Sequence, residues 1–74
     1  MEKSELAVRV GIEIRRLRVE RGRSQEDFAD DCGVHRTYMG SVERGEKVMS
    51  IEMARRIATT LGIKLSVLFS GIDE

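Results

Sequence analysis

Apolar residues recur along this chain at helical intervals, and small polar residues or glycines interrupt them. Ala7, Val10, Ile14 and Leu17 are spaced by three and four, which places them on one face of a 3.6-residue helix. The spacing stops near Gly22, and Ser4 stands at a capping position, so a first helix is predicted over about residues 5–21. Ser24 followed by Asp27 resembles a capping box, with Asp replacing the preferred Glu or Gln. It opens a second helix over 25–32, with Phe28, Ala29 and Cys32 on one face. Gly33 can take a positive φ and end it. A third helix is predicted over 36–43, with Met39 and Val42 inward, Val34 plugging the preceding turn and Gly45 as the stop. His35 takes its cap position, where Ser, Thr, Asp or Asn is expected, and should cap poorly. Ser50 caps a fourth helix over 51–61, whose apolar face is Ile51, Ala54, Ile57, Ala58 and Leu61, and Gly62 ends it. "IKLSVLF" supports a short fifth helix at about 65–69. A strand there would have no partner. The pattern therefore predicts an all-α fold, one compact domain of four to five helices over residues 1–74.

The second and third helices flank Gly33 with three or four residues between them, which is the helix-turn-helix arrangement. Many small bundles have short connections, so the polar choices on the third helix carry more information. With Met39 and Val42 inward, Arg36, Thr37, Gly40, Ser41 and Arg44 point outward or sideways. An arginine near a helix start reaches guanine O6 and N7 with a bidentate fork, and a threonine methyl meets the thymine methyl. Ser41 is short enough for close approach and can donate to a base or a phosphate. Gly40 costs roughly 0.5–1 kcal/mol relative to Ala in a helix, which a closely approaching backbone would explain. On these residues alone, a solvated helix face remains the open alternative.

Composition narrows the choice. Seventy-four residues, 41% hydrophobic and 35% charged, suit one small folded domain with a thin core. Thirteen basic residues balance thirteen acidic ones, which counts mildly against a nucleic-acid binder. The distribution matters more than the sum. The acids of the middle segment are bunched in "EDFADD", and the basic residues after them stand apart, so a neutral chain can still show a positive face. Cys32 is the lone cysteine and His35 the lone histidine. That excludes a disulfide framework and a cysteine-rich zinc site, and leaves no second histidine for a metal site or a base relay. No catalytic residues, metal or cofactor are expected, and an enzyme is not. No apolar run approaches a membrane span and no signal peptide is visible, so the expected compartment is the cytoplasm.

Several short motifs then carry a resemblance. Ile14, Leu17 and Arg18, the "G-x-SQE-x-x-A" run at Gly22 to Ala29, Gly33-Val34, "ERG" at Glu43 to Gly45 and "A-x-x-IA-x-x-LG" at Ala54 to Gly62 together resemble the helix-turn-helix family of phage repressors and their Cro relatives. The likeness covers about residues 11–69. Within that family, "SQEDFA" and "RTY" at Arg36 to Tyr38 are most similar to the controller proteins of restriction-modification systems. The resemblance implies a lambda repressor-like fold and a sequence-specific, DNA-binding transcriptional regulator that activates and represses its own promoter. It implies base contacts from Arg36 and Thr37. His35 departs from the family, which usually has Ser, Asp or Asn there, but its ring could reach a base or phosphate, and it and Ser41 are taken as further base contacts from their own chemistry. The resemblance implies backbone contacts from Gln25, Ser24, Tyr38, Arg44 and Lys47, and a structural salt bridge between Arg18 and Glu43. Double-stranded DNA with a pseudo-palindromic operator is the expected partner, and transcription control adds RNA polymerase.

Self-association is also expected. One recognition helix reads only a few base pairs, and a twofold dimer doubles the footprint on half-sites about 34 Å apart. "IKLSVLFSGI" holds more apolar residues than a core this small can bury. Leu65 and Leu68 are assigned mainly to the core. Val67, Phe69 and Ile72, with Ile51 beside them, are assigned to a homodimer interface, and the resemblance points to the same region. The alternative is a protein-binding module, an adaptor or an antitoxin built on the same domain, which the neutral charge and the acidic "EDFADD" face would suit.

Overall fold

The computed structural model describes residues 4–70. They form five helices and no strand: α1 (Glu5–Glu20), α2 (Gln25–Cys32), α3 (Arg36–Glu43), α4 (Ile51–Leu61) and α5 (Leu65–Leu68). Three serines start three of them in the same way. The side-chain oxygens of Ser4, Ser24 and Ser50 accept the backbone N–H groups of Ala7, Asp27 and Met53. Each bond satisfies one orphan donor of a first turn. Gly33 and Gly62 end α2 and α4 in the left-handed region, at φ 78° and 76°, where a Cβ is costly.

Two boundaries differ from expectation by one residue. Arg21 is the C-cap of α1 rather than its last helical residue, and Phe69 is the C-cap of α5. Arg21 is also tied down sideways, since its Nε donates to the Leu61 carbonyl at 2.9 Å and joins the ends of α1 and α4.

The core lies where α1 meets α3 and α5, and α2 meets α3 and α4. Phe28, Ile14, Met39, Ile57, Leu68 and Val42 are its fully buried large side chains, each contributing about 1.5–3 kcal/mol by leaving water. Ile51 does not join them. Its spacing puts it on the apolar face of α4, but as the first residue of that helix it projects past the core and is 81% exposed. Leu65 is half-buried against the core. Cys32 is buried, and loss of solvent pushes its thiol up from its ordinary value.

Gly11 fixes how closely α1 approaches α3. A Cβ there would lie 2.3 Å from the Val42 carbonyl oxygen and 2.7 Å from that of Glu43. The backbone of α1 therefore rests directly on the last turn of α3, so any shift of α1 is passed to α3.

Candidate nucleic-acid interface

The turn between α2 and α3 is closed by its own backbone. Gly33 N–H donates to the Asp30 carbonyl and Val34 N–H to that of Ala29, both at 3.0 Å. Val34 then packs against the core, as expected for a plug, and α3 starts two residues later.

His35 begins α3 differently from expectation. Its Nδ1 accepts the Thr37 N–H at 3.0 Å. The ring therefore supplies the acceptor that Ser or Asp normally gives, and the helix start needs no other cap.

An ion pair sets the base of α3. Arg18 from α1 donates Nε to Glu43 Oε2 at 2.7 Å and a terminal nitrogen to Oε1 at 3.1 Å, a bidentate fork. Its other terminal nitrogen donates to the Arg23 carbonyl at 2.7 Å. Both residues are buried, so the pair is largely desolvated and each partner depends on the other. The negative charge of α3 is thereby neutralised inside the protein. Gln25, the first residue of α2, joins the pair by donating Nε2 to Glu43 Oε1 at 3.1 Å.

Beside that network lies an open polar cleft of about 250 Å³, lined by Gln25, Arg36, Thr37, Gly40 and Arg44. Gly40 lines this cleft, and it also lies close to two side chains of the chain itself. A Cβ there would stand 3.0 Å from an Arg44 guanidinium nitrogen and 3.3 Å from Gln25 Oε1, so the glycine leaves room for those two side chains.

The expected contact residues divide by what they already bind. Ser24 caps α2. Ser41 donates its hydroxyl to the Thr37 carbonyl at 3.1 Å, so while that bond holds it offers only an acceptor. Arg44 forms a bidentate pair with Glu46 at 2.9 and 3.1 Å. Tyr38 is half-buried against the core. Lys47 is exposed on the loop after α3. Arg36 is exposed, and its guanidinium has no partner among the described residues. Thr37 is exposed beside it. Lys47 apart, the uncommitted groups thus gather in the first turn of α3.

The exposed large hydrophobics among the described residues are Leu6, Ile12, Val19, Val48, Ile51 and Val67. Phe69 is half-buried against the core and lines an apolar hollow of about 170 Å³ with Leu6, Val48 and Met49, so only part of its ring is left for a partner. Ile72 lies outside the described residues.

The helix-turn-helix family model matches residues 14–68. Control protein C.MunI from a Mycoplasma species is 38% identical over 72 residues, covering 96% of this chain and 97% of that protein. The crystal structure of the restriction-modification controller protein C.AhdI from Aeromonas hydrophila superposes with a TM-score of 0.82 at 40% identity, covering 85% of this chain and 91% of that one. The chain belongs to the helix-turn-helix family, among the restriction-modification controller proteins. A further similar structure is the C.Esp1396I controller tetramer in complex with its natural 35 base-pair operator, with a TM-score of 0.84 at 30% identity over 93% of this chain and 91% of that one. None of these relatives is named as an antitoxin or an adaptor. The family is one of DNA-binding regulators rather than enzymes.

Three features of this controller protein escaped the sequence reading. Gly11 is one, although a glycine inside a strongly periodic helix was a signal that backbones meet there. The Gln25–Glu43 bond is another, and nothing in the spacing of those residues announces it. Val48 is the third. Like Ile51 and Val67 it is an exposed apolar residue. No described helix is long and apolar enough to cross a membrane.

Proposed function

We propose that this controller protein is a homodimeric, sequence-specific DNA-binding regulator of a restriction-modification operon, acting on its own promoter as activator and repressor. The observation that carries the proposal is the first turn of α3. There Arg36 and Thr37 stand uncommitted beside a polar cleft, on a helix whose only acid is neutralised from within. An exposed guanidinium at a helix start, backed by a rigid scaffold, suits bidentate contact with guanine in the major groove. Thr37 offers its methyl to thymine. Ser41 offers an acceptor to a base amino group. Ser24, Gln25, Tyr38, Arg44 and Lys47 surround this turn as backbone contacts, which position without specifying. Gln25 keeps one amide hydrogen beyond the one given to Glu43, and that hydrogen can go to a phosphate.

The dimer is proposed to form through Val48, Ile51, Val67 and the open part of Phe69, with Ile72 beside them. Its twofold axis calls for a pseudo-palindromic operator with half-sites about 34 Å apart. Activation adds RNA polymerase as a partner, and the cytoplasm is the proposed compartment.

The test is a footprint over the DNA upstream of its own gene, followed by titration of wild type and Arg36→Ala on that site, on a base-substituted site and on random duplex. Arg36→Ala should lose about 1–3 kcal/mol on the native site alone. Equal losses on all three duplexes would make Arg36 a backbone contact. A promoter reporter should rise and then fall with protein dose, and a flat response would reject the regulatory role.

A further inference from the structure

The ring of His35 has two nitrogens, and one is already used. Nδ1 accepts the Thr37 N–H at 3.0 Å, so its lone pair points into the helix start. A neutral imidazole that accepts at one nitrogen carries its hydrogen on the other. Nε2–H is therefore a donor, and it lies on the far side of the rigid ring from the backbone it caps. His35 is exposed, and Nε2 has no partner among the described residues. Its neighbours in the chain are Val34, buried in part against the core, and Arg36, at the rim of the polar cleft.

Serine, threonine, asparagine or aspartate in the same place would cap equally well. None of the four carries a ring that holds its donor this far beyond the cap. The cap thus accounts for the acceptor of His35 and leaves its donor unexplained.

Resting on the DNA-binding reading above, we propose that His35 is a specificity-determining residue whose capping bond fixes the tautomer, so that Nε2–H donates to an acceptor on the DNA beside the base read by Arg36. The acceptors that would carry sequence information are oxygens or nitrogens without hydrogen on a base edge: guanine O6 or N7, adenine N7 or thymine O4. Amino groups of cytosine and adenine are excluded, because they only donate. One side chain then couples two tasks. It holds the first turn of α3 in place through Nδ1 and reads through Nε2.

The experiment uses the whole chain and the upstream duplex defined by footprinting. His35→Ser keeps a cap acceptor but has no reach, and His35→Asn keeps an acceptor with a shorter donor. His35→Ser should melt within a few degrees of wild type and bind the footprinted duplex at least tenfold more weakly, with His35→Asn between the two. His35→Ala, lacking the cap, should lose both stability and affinity. Nitrogen-15 spectroscopy of the free protein should show the hydrogen on Nε2, and the Nε2–H resonance should move on adding the duplex.

Two sets of modified duplexes separate the sources of the acceptor. If the base supplies it, one 7-deazapurine, 6-thioguanine or 4-thiothymine substitution weakens wild type and leaves His35→Ser unchanged. If the backbone supplies it, one methylphosphonate linkage does so instead, equally on native and random sequence, and that result overturns the proposal. A free-protein ring protonated on Nδ1, or a His35→Ser variant that binds as wild type does, overturns the proposal and leaves the DNA-binding reading intact. A wild type that binds neither the upstream nor the random duplex overturns both.

Discussion

Gly11→Ala separates two physical arguments that predict opposite signs. By helix propensity alone, the substitution should stabilise α1 by about 0.8–1.0 kcal/mol, because glycine is the poorer helix former. The structure predicts the reverse. The new methyl would meet Val42 O at 2.3 Å, Glu43 O at 2.7 Å and Glu43 C at 2.9 Å. These are backbone atoms, which cannot turn aside as a flexible side chain can. The shortest approach falls on the order of 1 Å inside van der Waals contact, and opening a packed interface by that amount forfeits roughly a quarter to a half of each contact's attraction. Overpacking of a well-filled site typically costs about 1–3 kcal/mol. Here the displaced segment also carries Glu43, so the bidentate bonds at 2.7 and 3.1 Å from Arg18 are strained with it. Taking the upper part of the packing range and subtracting the propensity gain leaves a net loss of about 1–2 kcal/mol. For a domain of this size each kcal/mol moves the midpoint by about 4–8 °C, so a fall of roughly 4–16 °C is expected. Thermal melts by circular dichroism at fixed protein concentration, on wild type, Gly11→Ala and Gly11→Ser, provide the measurement. Concentration must be held constant because dimerisation couples to stability. A Gly11→Ala midpoint equal to or above wild type would show that α1 does not rest on the backbone of α3.

Three further outcomes follow from the same structure. Glu43→Gln should cost about 3–5 kcal/mol, because it leaves the buried Arg18 guanidinium without its charge partner, while the paired replacement Arg18→Met with Glu43→Leu should recover most of that loss in urea titrations; equal losses would mean that the pair is not coupled. The carboxyls of Glu13 and Glu52 are held below their ordinary value of 4.5 by hydrogen bonds from Arg16 and Arg55, so their small contribution is complete above that value and is lost as pH falls through the depressed one; Arg16→Ala and Arg55→Ala should make the acid side of the melting curve shallower, and an unchanged acid limb would refute the link. Val67→Asp should shift sedimentation equilibrium toward monomer with helicity retained, and a folded variant that remains dimeric would move the interface elsewhere.

Helices and their ends were legible in the sequence because both are local. Spacing of Ala7, Val10, Ile14 and Leu17 reports one helix face whatever lies beyond it, and Ser4, Ser24 and Ser50 cap through bonds only three residues long. Glycine stops at Gly33 and Gly62 depend on φ alone. The grouping of Arg36 and Thr37 on one turn needed nothing more than the 3.6-residue period.

What the tertiary structure decided depends on which helices meet. Ile51 shares a periodic face with Ala54 and Ile57, yet at the start of α4 it is left 81% exposed while Ala54 is buried. The proximity of Gly40 to the Arg44 and Gln25 side chains came only from how α2 and α3 pack. Gln25 and Glu43 are eighteen positions apart and meet only because α2 and α3 cross. His35 turned out to cap through a ring nitrogen, a matter of rotamer that residue type does not report. Periodicity names the face a residue occupies along its own helix, whereas burial, pairing and the direction of a free donor are properties of the neighbour across the gap.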